Sequence, residues 1–276
     1  MSDNVSPPPA ATRGDGVSPR PPAACPSPIR AVLFDAVGTL FHSQPSITRV
    51  YADAGARAGI VLSESEIGDR FLAAFRRHFG RPAAGSPAEL TRTSEDIERE
   101  RWRRIVAEVF VELPEASGAL FETLWEHFAR GSSWRLFDDV APTWEALAKR
   151  GLRIGIASNY DRRLLSVVSE LRPLADCRHV YHSAGVGHAK PGVAFFRAIE
   201  LDLGLSPDEL LFVGDDRVND YEGAAHAGWH SVWLGRQRPP EGPHHIQSLL
   251  ELLDKLNPRH SPPPAGDSNA SSVAPP

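Results

Sequence analysis

Residues 31–40 read AVLFDAVGTL, four apolar positions running straight into Asp35 and then into a Gly38–Thr39 turn. A buried strand of this kind carries its terminal carboxylate to the carboxyl edge of a parallel sheet, where open α/β folds bind ligands. Alone, an Asp at a strand end reads equally well as a turn or cap residue. Three further segments repeat the design. Residues 152–159, LRIGIASN, end in Ser158 and Asn159. Ser158 there either caps a helix starting near Asp161 or donates to a phosphoryl oxygen beside the N–H groups of that helix start. Residues 187–192, GHAKPG, present Lys190, one of only three lysines with Lys149 and Lys255. A compact ammonium is a good point-charge partner for phosphate and carboxylate, although most lysines simply lie on the surface. Residues 211–224, LFVGDDRVNDYEGA, offer Asp215, Asp216 and Asp220 after another apolar run. Hard divalent cations take oxygen ligands, and Mg²⁺ uses one or two carboxylates with water and phosphate oxygens. Helix capping explains one acid here better than three.

The elements that must hold these residues follow from the hydrophobic pattern. Strands are predicted over 31–35, 152–158, 179–183, 210–215 and 230–234, alternating with amphipathic helices. That order implies an α/β fold with a Rossmann-like parallel sheet and helices on both faces. Pro142 and Pro191 stand where helices begin, and Ser206 with Pro207 and Glu209 reads as another helix start. Residues 45–130 break the alternation and show helical periodicity only. Ser63 and Glu66 form a capping box there. Glu95–Arg99 and Glu100–Arg104 are spaced i,i+4 for ion pairs on a helix whose apolar side includes Ile97, Ile105 and Val109. The expected organisation is therefore a core of 29–44 and 131–257 interrupted by a helical cap over 45–130, of a kind that forms a lid or simply a helical subdomain. The Pro-, Ser- and Gly-rich tails 1–28 and 258–276 are expected to be disordered, for want of apolar surface to offset the entropy of ordering.

Composition excludes several classes. Lys and Arg number 30 against 35 Asp and Glu, a net charge of −5, so no basic field draws nucleic acid or an anionic membrane. No apolar run approaches the roughly 20 residues of a membrane helix, and the N-terminus lacks the pattern of a secretory signal. A cytoplasmic location is the expectation. Cys25 and Cys177 belong to no metal-like spacing. Trp102, Trp125, Trp134 and Trp144 read as pocket-lining or as core anchors, and the pair His244–His245 as a weak metal candidate or a solvated helix start.

Taken together, FDAVGTL from Phe34, the Ser158–Asn159 strand end, HAKPG around Lys190 and VGDDRVND from Val213 resemble the haloacid dehalogenase-like hydrolase superfamily, over about residues 30–257 and on its branch with a helical cap after the first motif. The resemblance implies a Mg²⁺-dependent phosphohydrolase acting on a small phosphorylated metabolite. Asp35 would be the nucleophile. Mg²⁺ would be held by Asp35, the backbone carbonyl of Val37, and Asp215. Ser158, Asn159 and Lys190 would bind the phosphoryl group. Thr39, Asp216 and Asp220 would support the site, with Asp220 orienting Lys190 or holding a metal-bound water and Asp216 sharing that role. One position departs from the family. Its phosphatases carry a second Asp two residues after the first, as general acid and base, and here Val37 stands there. Such help is worth about 10²–10⁴-fold. Another group (His42, Tyr160 or Asp161) replaces it, or the substrate has a good leaving group such as an acyl phosphate, or the protein is a non-catalytic or weakly active phosphate-ligand binder. The family's dehalogenases also lack that Asp, but they tend to have an aromatic residue there and a less acidic last motif, so carbon–halogen cleavage ranks lower.

Overall fold

The computed structural model describes residues 29–80, 82–114, 117–239 and 241–256; the two expected tails and Cys25 lie outside them. In chain order the elements are β1 (Ala31–Phe34), β2 (Phe41–Ser43), α1 (Ile47–Arg57), α2 (Glu64–His78), α3 (Glu95–Val109), α4 (Ser117–His127), β3 (Trp134–Leu136), α5 (Val140–Lys149), β4 (Arg153–Ser158), α6 (Arg163–Glu170), β5 (His179–His182), the single turn α7 (Ser183–Val186), α8 (Val193–Leu203), β6 (Leu210–Gly214), the short α9 (Gly223–His226), β7 (His230–Leu234), β8 (His245–Ile246) and α10 (Leu250–Lys255). A π-turn, Arg217–Glu222, joins β6 to α9.

The six-stranded sheet runs β5-β4-β1-β6-β7-β8 and every pair in it is parallel. β1 lies in the middle, and all four of its residues are buried. Because side chains alternate along a strand, Val32 and Phe34 join the apolar cluster under α5, α6 and α10, while Ala31 and Leu33 join the opposite one with Phe195, Phe196 and Ile199 of α8. A strand buried on both faces needs a continuous apolar run, and AVLF supplies it.

All five predicted strands form, each within about a residue of its expected ends. Asp35 and Asp215 stand just past their strands rather than inside them. Three strands were not expected. β8 has only two residues, and β2 and β3 pair antiparallel with Phe41 opposite Leu136. Three-residue runs such as FHS and WRL are too short to display a period-two pattern. The Pro207 helix is reduced to one 3₁₀ turn, although Glu209 accepts from both Ser206 N and Ser206 Oγ at 2.9 Å.

Helices α1 to α4 share an apolar cluster of their own, with Tyr51, Ile67, Ile105, Phe110 and Phe121 fully or nearly fully buried. The Ser63–Glu66 capping box is present, a feature worth about 1 kcal/mol. Two expectations for α3 fail. Ile97 is exposed. Arg104 pairs with Glu100, but Arg99 turns to Glu122 at 2.7 Å and Glu95 reaches across to the backbone N–H of Arg162 at 3.0 Å. At the first turn of α3, Glu95 finds a stronger partner in an orphan N–H of the sheet domain than in a solvated arginine. Among the described residues no helix is long and apolar enough to cross a membrane.

Candidate active site

The register β4-β1-β6 puts Phe34 between Ile156 and Val213, so the residues that follow each strand emerge side by side at the carboxyl edge. Asp35 is fixed there by its N–H donating to Val213 O at 2.9 Å. The chain then turns sharply: Leu40 N and Phe41 N both donate to Ala36 O, and Gly38 takes φ +90°. Glycine is required on two counts at that point. The positive φ disfavours any side chain, and a Cβ would sit 2.5–2.8 Å from the Asp215 carboxylate. The turn delivers Thr39, whose Oγ1 donates to Asp215 Oδ1 at 2.9 Å.

Lys190 is buried, and its ammonium is the hub of the site. Nζ donates to Asp35 Oδ1 at 2.6 Å, to Asp220 Oδ1 at 2.6 Å and to Ala157 O at 3.0 Å. Burial lowers the pKa of the ammonium, but the charges of Asp220 and Asp35 outweigh this and push it up to about 12. Asp220, also buried, accepts from Asp216 N through Oδ2 at 2.9 Å. It packs so tightly under Gly214 that a Cβ there would collide with its side chain. Burial pushes the Asp220 carboxyl up, and Asp35 and Asp215 add to that against the pull of Lys190. The Asp215 carboxyl is raised to about 6, by burial first and by the charge of Asp35 second. Its surface still reaches solvent, so water moderates that rise.

Ligand oxygens of Asp35, Asp215 and Asp220 all lie within 4.8 Å of one another. Like charges at that spacing repel by on the order of 3 kcal/mol per pair at an effective dielectric of about 20, and one ammonium offsets only part of it. An all-oxygen donor set with uncompensated negative charge fits a hard divalent cation. Both Asp220 oxygens are engaged by Lys190 and by Asp216 N, which leaves Asp35 and Asp215 better placed to hold it.

The other expected residues divide. Ser158 lies buried at the end of β4 and does not cap α6, whose N-cap position is Arg162. Asn159 and Lys190 exchange hydrogen bonds, Nδ2 to Lys190 O at 2.9 Å and Lys190 N to Oδ1 at 2.8 Å, so Asn159 positions the lysine backbone. Asp216 Oδ1 accepts from Val218 N and Asn219 N at 2.9 and 3.0 Å and heads the π-turn. Val37 is half-buried against the apolar cluster and brings no titratable group. Each of the three residues considered as replacement acids has other work. His42 Nδ1 lies 3.2 Å from Ser43 O and its ring packs against Phe137, tilted by 46°. The Tyr160 hydroxyl, raised by burial, donates to Phe128 O at 3.4 Å. Asp161 is held bidentate by Arg163, at 2.8 and 2.7 Å.

Sequence reasoning missed Arg163 and Arg236. The Arg163 guanidinium, paired to buried Asp161, lies 3.4 Å from the centre of the Trp125 ring in α4. Trp125 is thus a contact between the helical segment and the sheet domain, while Trp134 packs on Phe41 and Phe128, and Trp144 on Phe34. Arg236 donates to Asp139 Oδ2 and Oδ1 at 2.8 and 3.0 Å and to Thr39 O at 2.7 Å, bracing the Asp35 turn from behind. His245 stacks on Trp233 and its Nδ1 accepts from Glu241 N, a packing role. An arginine paired inside a fold looks in sequence like any surface arginine.

Asp139 also accepts from Ser248 Oγ and Leu249 N at 2.8 Å. Burial would raise it, but the Arg236 hydrogen bonds, the Leu249 N–H and Ser248 outweigh that and hold it below the usual carboxylate range. A depressed folded-state pKa contributes stability that is fully present above about pH 4 and lost as pH falls through the folded value. Asp139→Asn is expected to cost about 2–3 kcal/mol at neutral pH, with a difference in melting temperature from wild type that shrinks below pH 4.

Residues 29–228 match the profile of the haloacid dehalogenase-like hydrolase family. The chain is 27% identical over 247 residues to haloacid dehalogenase-like hydrolase domain-containing protein 3 of Danio rerio, covering 83% of this chain and 97% of that protein. It is 27% identical over 230 residues to a phosphoglycolate phosphatase of Salmonella paratyphi A, covering 75% and 81%. Among solved structures it resembles a HAD phosphatase from Thermococcus onnurineus (TM-score 0.57, 24% identity, 82% of this chain and 97% of that one). It also resembles a putative HAD-hydrolase from Bacillus subtilis bound to magnesium (TM-score 0.63, 18% identity, 83% and 99%). A defluorinating L-2-haloacid dehalogenase shares the fold at TM-score 0.66 and 21% identity, over 87% and 99%.

Proposed function

Because the chain belongs to the haloacid dehalogenase-like hydrolases, we propose that it is a Mg²⁺-dependent phosphohydrolase acting on a small phosphorylated metabolite through an aspartyl-phosphate at Asp35. The observation that carries this reading is the buried ammonium of Lys190 set 2.6 Å from both Asp35 and Asp220, with Asp215 beside them. Lys190 occupies Oδ1 of Asp35, leaving Oδ2 to attack phosphorus. The P–O bond to the leaving group breaks as the Asp35 Oδ2–P bond forms. Water then attacks phosphorus as the Asp35 Oδ2–P bond breaks, its proton passing to bulk water, so that inorganic phosphate leaves and Asp35 returns as a carboxylate. Lys190, with Ser158 at the end of β4, faces the charge of the transferring group. Asp35, Asp215 and the Val37 carbonyl would hold Mg²⁺, which when bound offsets repulsion between an anionic nucleophile and an anionic substrate.

Residues 45–130 serve in this reading as a cap over a core of 29–44 and 131–257, in the cytoplasm. The separate apolar cluster of α1 to α4 supports that division. The test is phosphate release from p-nitrophenyl phosphate. Release is expected with Mg²⁺, to disappear with EDTA and to return when Mg²⁺ is restored. Release at an unchanged rate in EDTA would contradict the metal assignment.

A further inference from the structure

Lys190 is gripped from two sides. From the sheet domain, the Asn159 side chain pairs with both its backbone N–H and its carbonyl. From the helical segment, residues 91–93, just ahead of α3, lie antiparallel to residues 187–189. Ala189 N donates to Thr91 O at 2.8 Å, Thr93 N donates to Gly187 O at 3.1 Å, and Arg92 pairs with His188 between them. Lys190 is the next residue after this short ladder. Thr91 is 2% exposed, and its side chain presses on Gly192 on the far side of the lysine. A Cβ at Gly192 would fall 2.4–2.8 Å from the Thr91 side-chain atoms. The strap is anchored in turn: Thr91 Oγ1 donates to Ala88 O at 3.0 Å, and Thr93 Oγ1 donates to buried Glu98, which also takes Arg101 at 2.8 Å.

We propose that Thr91 is a positioning residue for Lys190, clamping the 187–192 loop from the helical segment so that the ammonium stays in reach of both Asp35 and Asp220. Contacts of 2.6 Å to two separate carboxylates leave little room for the lysine backbone to shift. A misplacement of about 1 Å at a reacting centre costs on the order of 10²-fold. The grip couples the seat of the helical segment to the phosphoryl-binding cation through main-chain bonds. This inference rests on the proposed role of Lys190, so its test reads the lysine directly as well as turnover. The chain has three lysines, and Lys149 and Lys255 are exposed. A protected side-chain ammonium signal in a ¹⁵N-correlated NMR spectrum therefore belongs to Lys190.

Gly192→Ala drives a methyl into Thr91. It is expected to shift or erase the Lys190 signal and to lower kcat about 10- to 100-fold with KM changed far less. Adding Thr91→Gly removes the obstruction, and should restore the signal and bring kcat back to that of Thr91→Gly alone. Thr91→Val keeps the packing on Gly192 and should keep both signal and kcat, whereas Thr91→Gly alone should lose part of each; this pair carries the test if Gly192→Ala does not fold. An unchanged signal in Gly192→Ala, a double variant no better than the single, or equal behaviour of Thr91→Val and Thr91→Gly would overturn the clamp. Absence of phosphate release by wild type would instead remove the proposed function, and the Lys190 signal would still decide the clamp.

Discussion

Asp35→Asn is expected to lower phosphate release by at least about 10⁴-fold, the scale seen when a covalent nucleophile is removed. The side chain keeps its size and still offers an oxygen to Lys190 Nζ, which lies 2.6 Å from Oδ1 in the wild type. The loss should therefore fall on kcat rather than on folding. Asn cannot attack phosphorus as an anion, and the second half-reaction then has no intermediate to hydrolyse. The check is steady-state release from p-nitrophenyl phosphate beside a melting curve. A variant that melts with wild type and yet turns over within tenfold of it would remove Asp35 from the chemistry.

Val37→Asp should act in the opposite direction, and only on substrates with poor leaving groups. His42, Tyr160, Asp161 and Asp216 are all engaged by backbone, Arg163 or the π-turn. Lys190 is held as an ammonium by two carboxylates. Wild type should then show a steep fall in rate as the leaving-group pKa rises across a series of aryl and alkyl phosphates. Val37→Asp should flatten that slope and raise alkyl phosphate hydrolysis by about 10²–10⁴-fold. A shallow slope in the wild type would mean that an acid reaches the leaving group when substrate is bound. A wild type that binds phosphate mimics with Mg²⁺ but releases nothing from any member of the series would favour the non-catalytic binder.

Much of this architecture is legible in the residues. AVLF ahead of Asp35 and LLFVG ahead of Asp215 announce buried parallel strands, and the sheet brings their ends together. Lys190 stands out because lysine is scarce in this chain, and it does meet Asp35 and Asp220. Local signals with one stereochemical cause, such as the Ser63–Glu66 box, also hold. What stays hidden depends on partners far apart in sequence. Nothing around Arg236 points to Asp139 or Thr39, and nothing around Thr91 points to Gly192; those pairs exist only once the sheet and the helical segment have packed. Glu95 shows the limit of spacing rules: it sits at the right interval from Arg99 and bonds instead to Arg162 N. Ser158 and Asp216 illustrate a subtler gap. Both lie where expected, but Ser158 does not cap α6, and Asp216 does, for the π-turn, the capping that residue type alone would suggest.

Catalysis through Asp35 requires a covalent bond between its carboxylate and phosphorus. Wild type mixed with a ³²P-labelled acyl or aryl phosphate and Mg²⁺, then quenched in acid within one turnover, should carry label on the peptide containing Asp35. Hydroxylamine should release that label, as it does from an acyl phosphate, and borohydride reduction should convert Asp35 to homoserine. Phosphate released at the wild-type rate with no label on that peptide, or with label on another residue, would contradict the account.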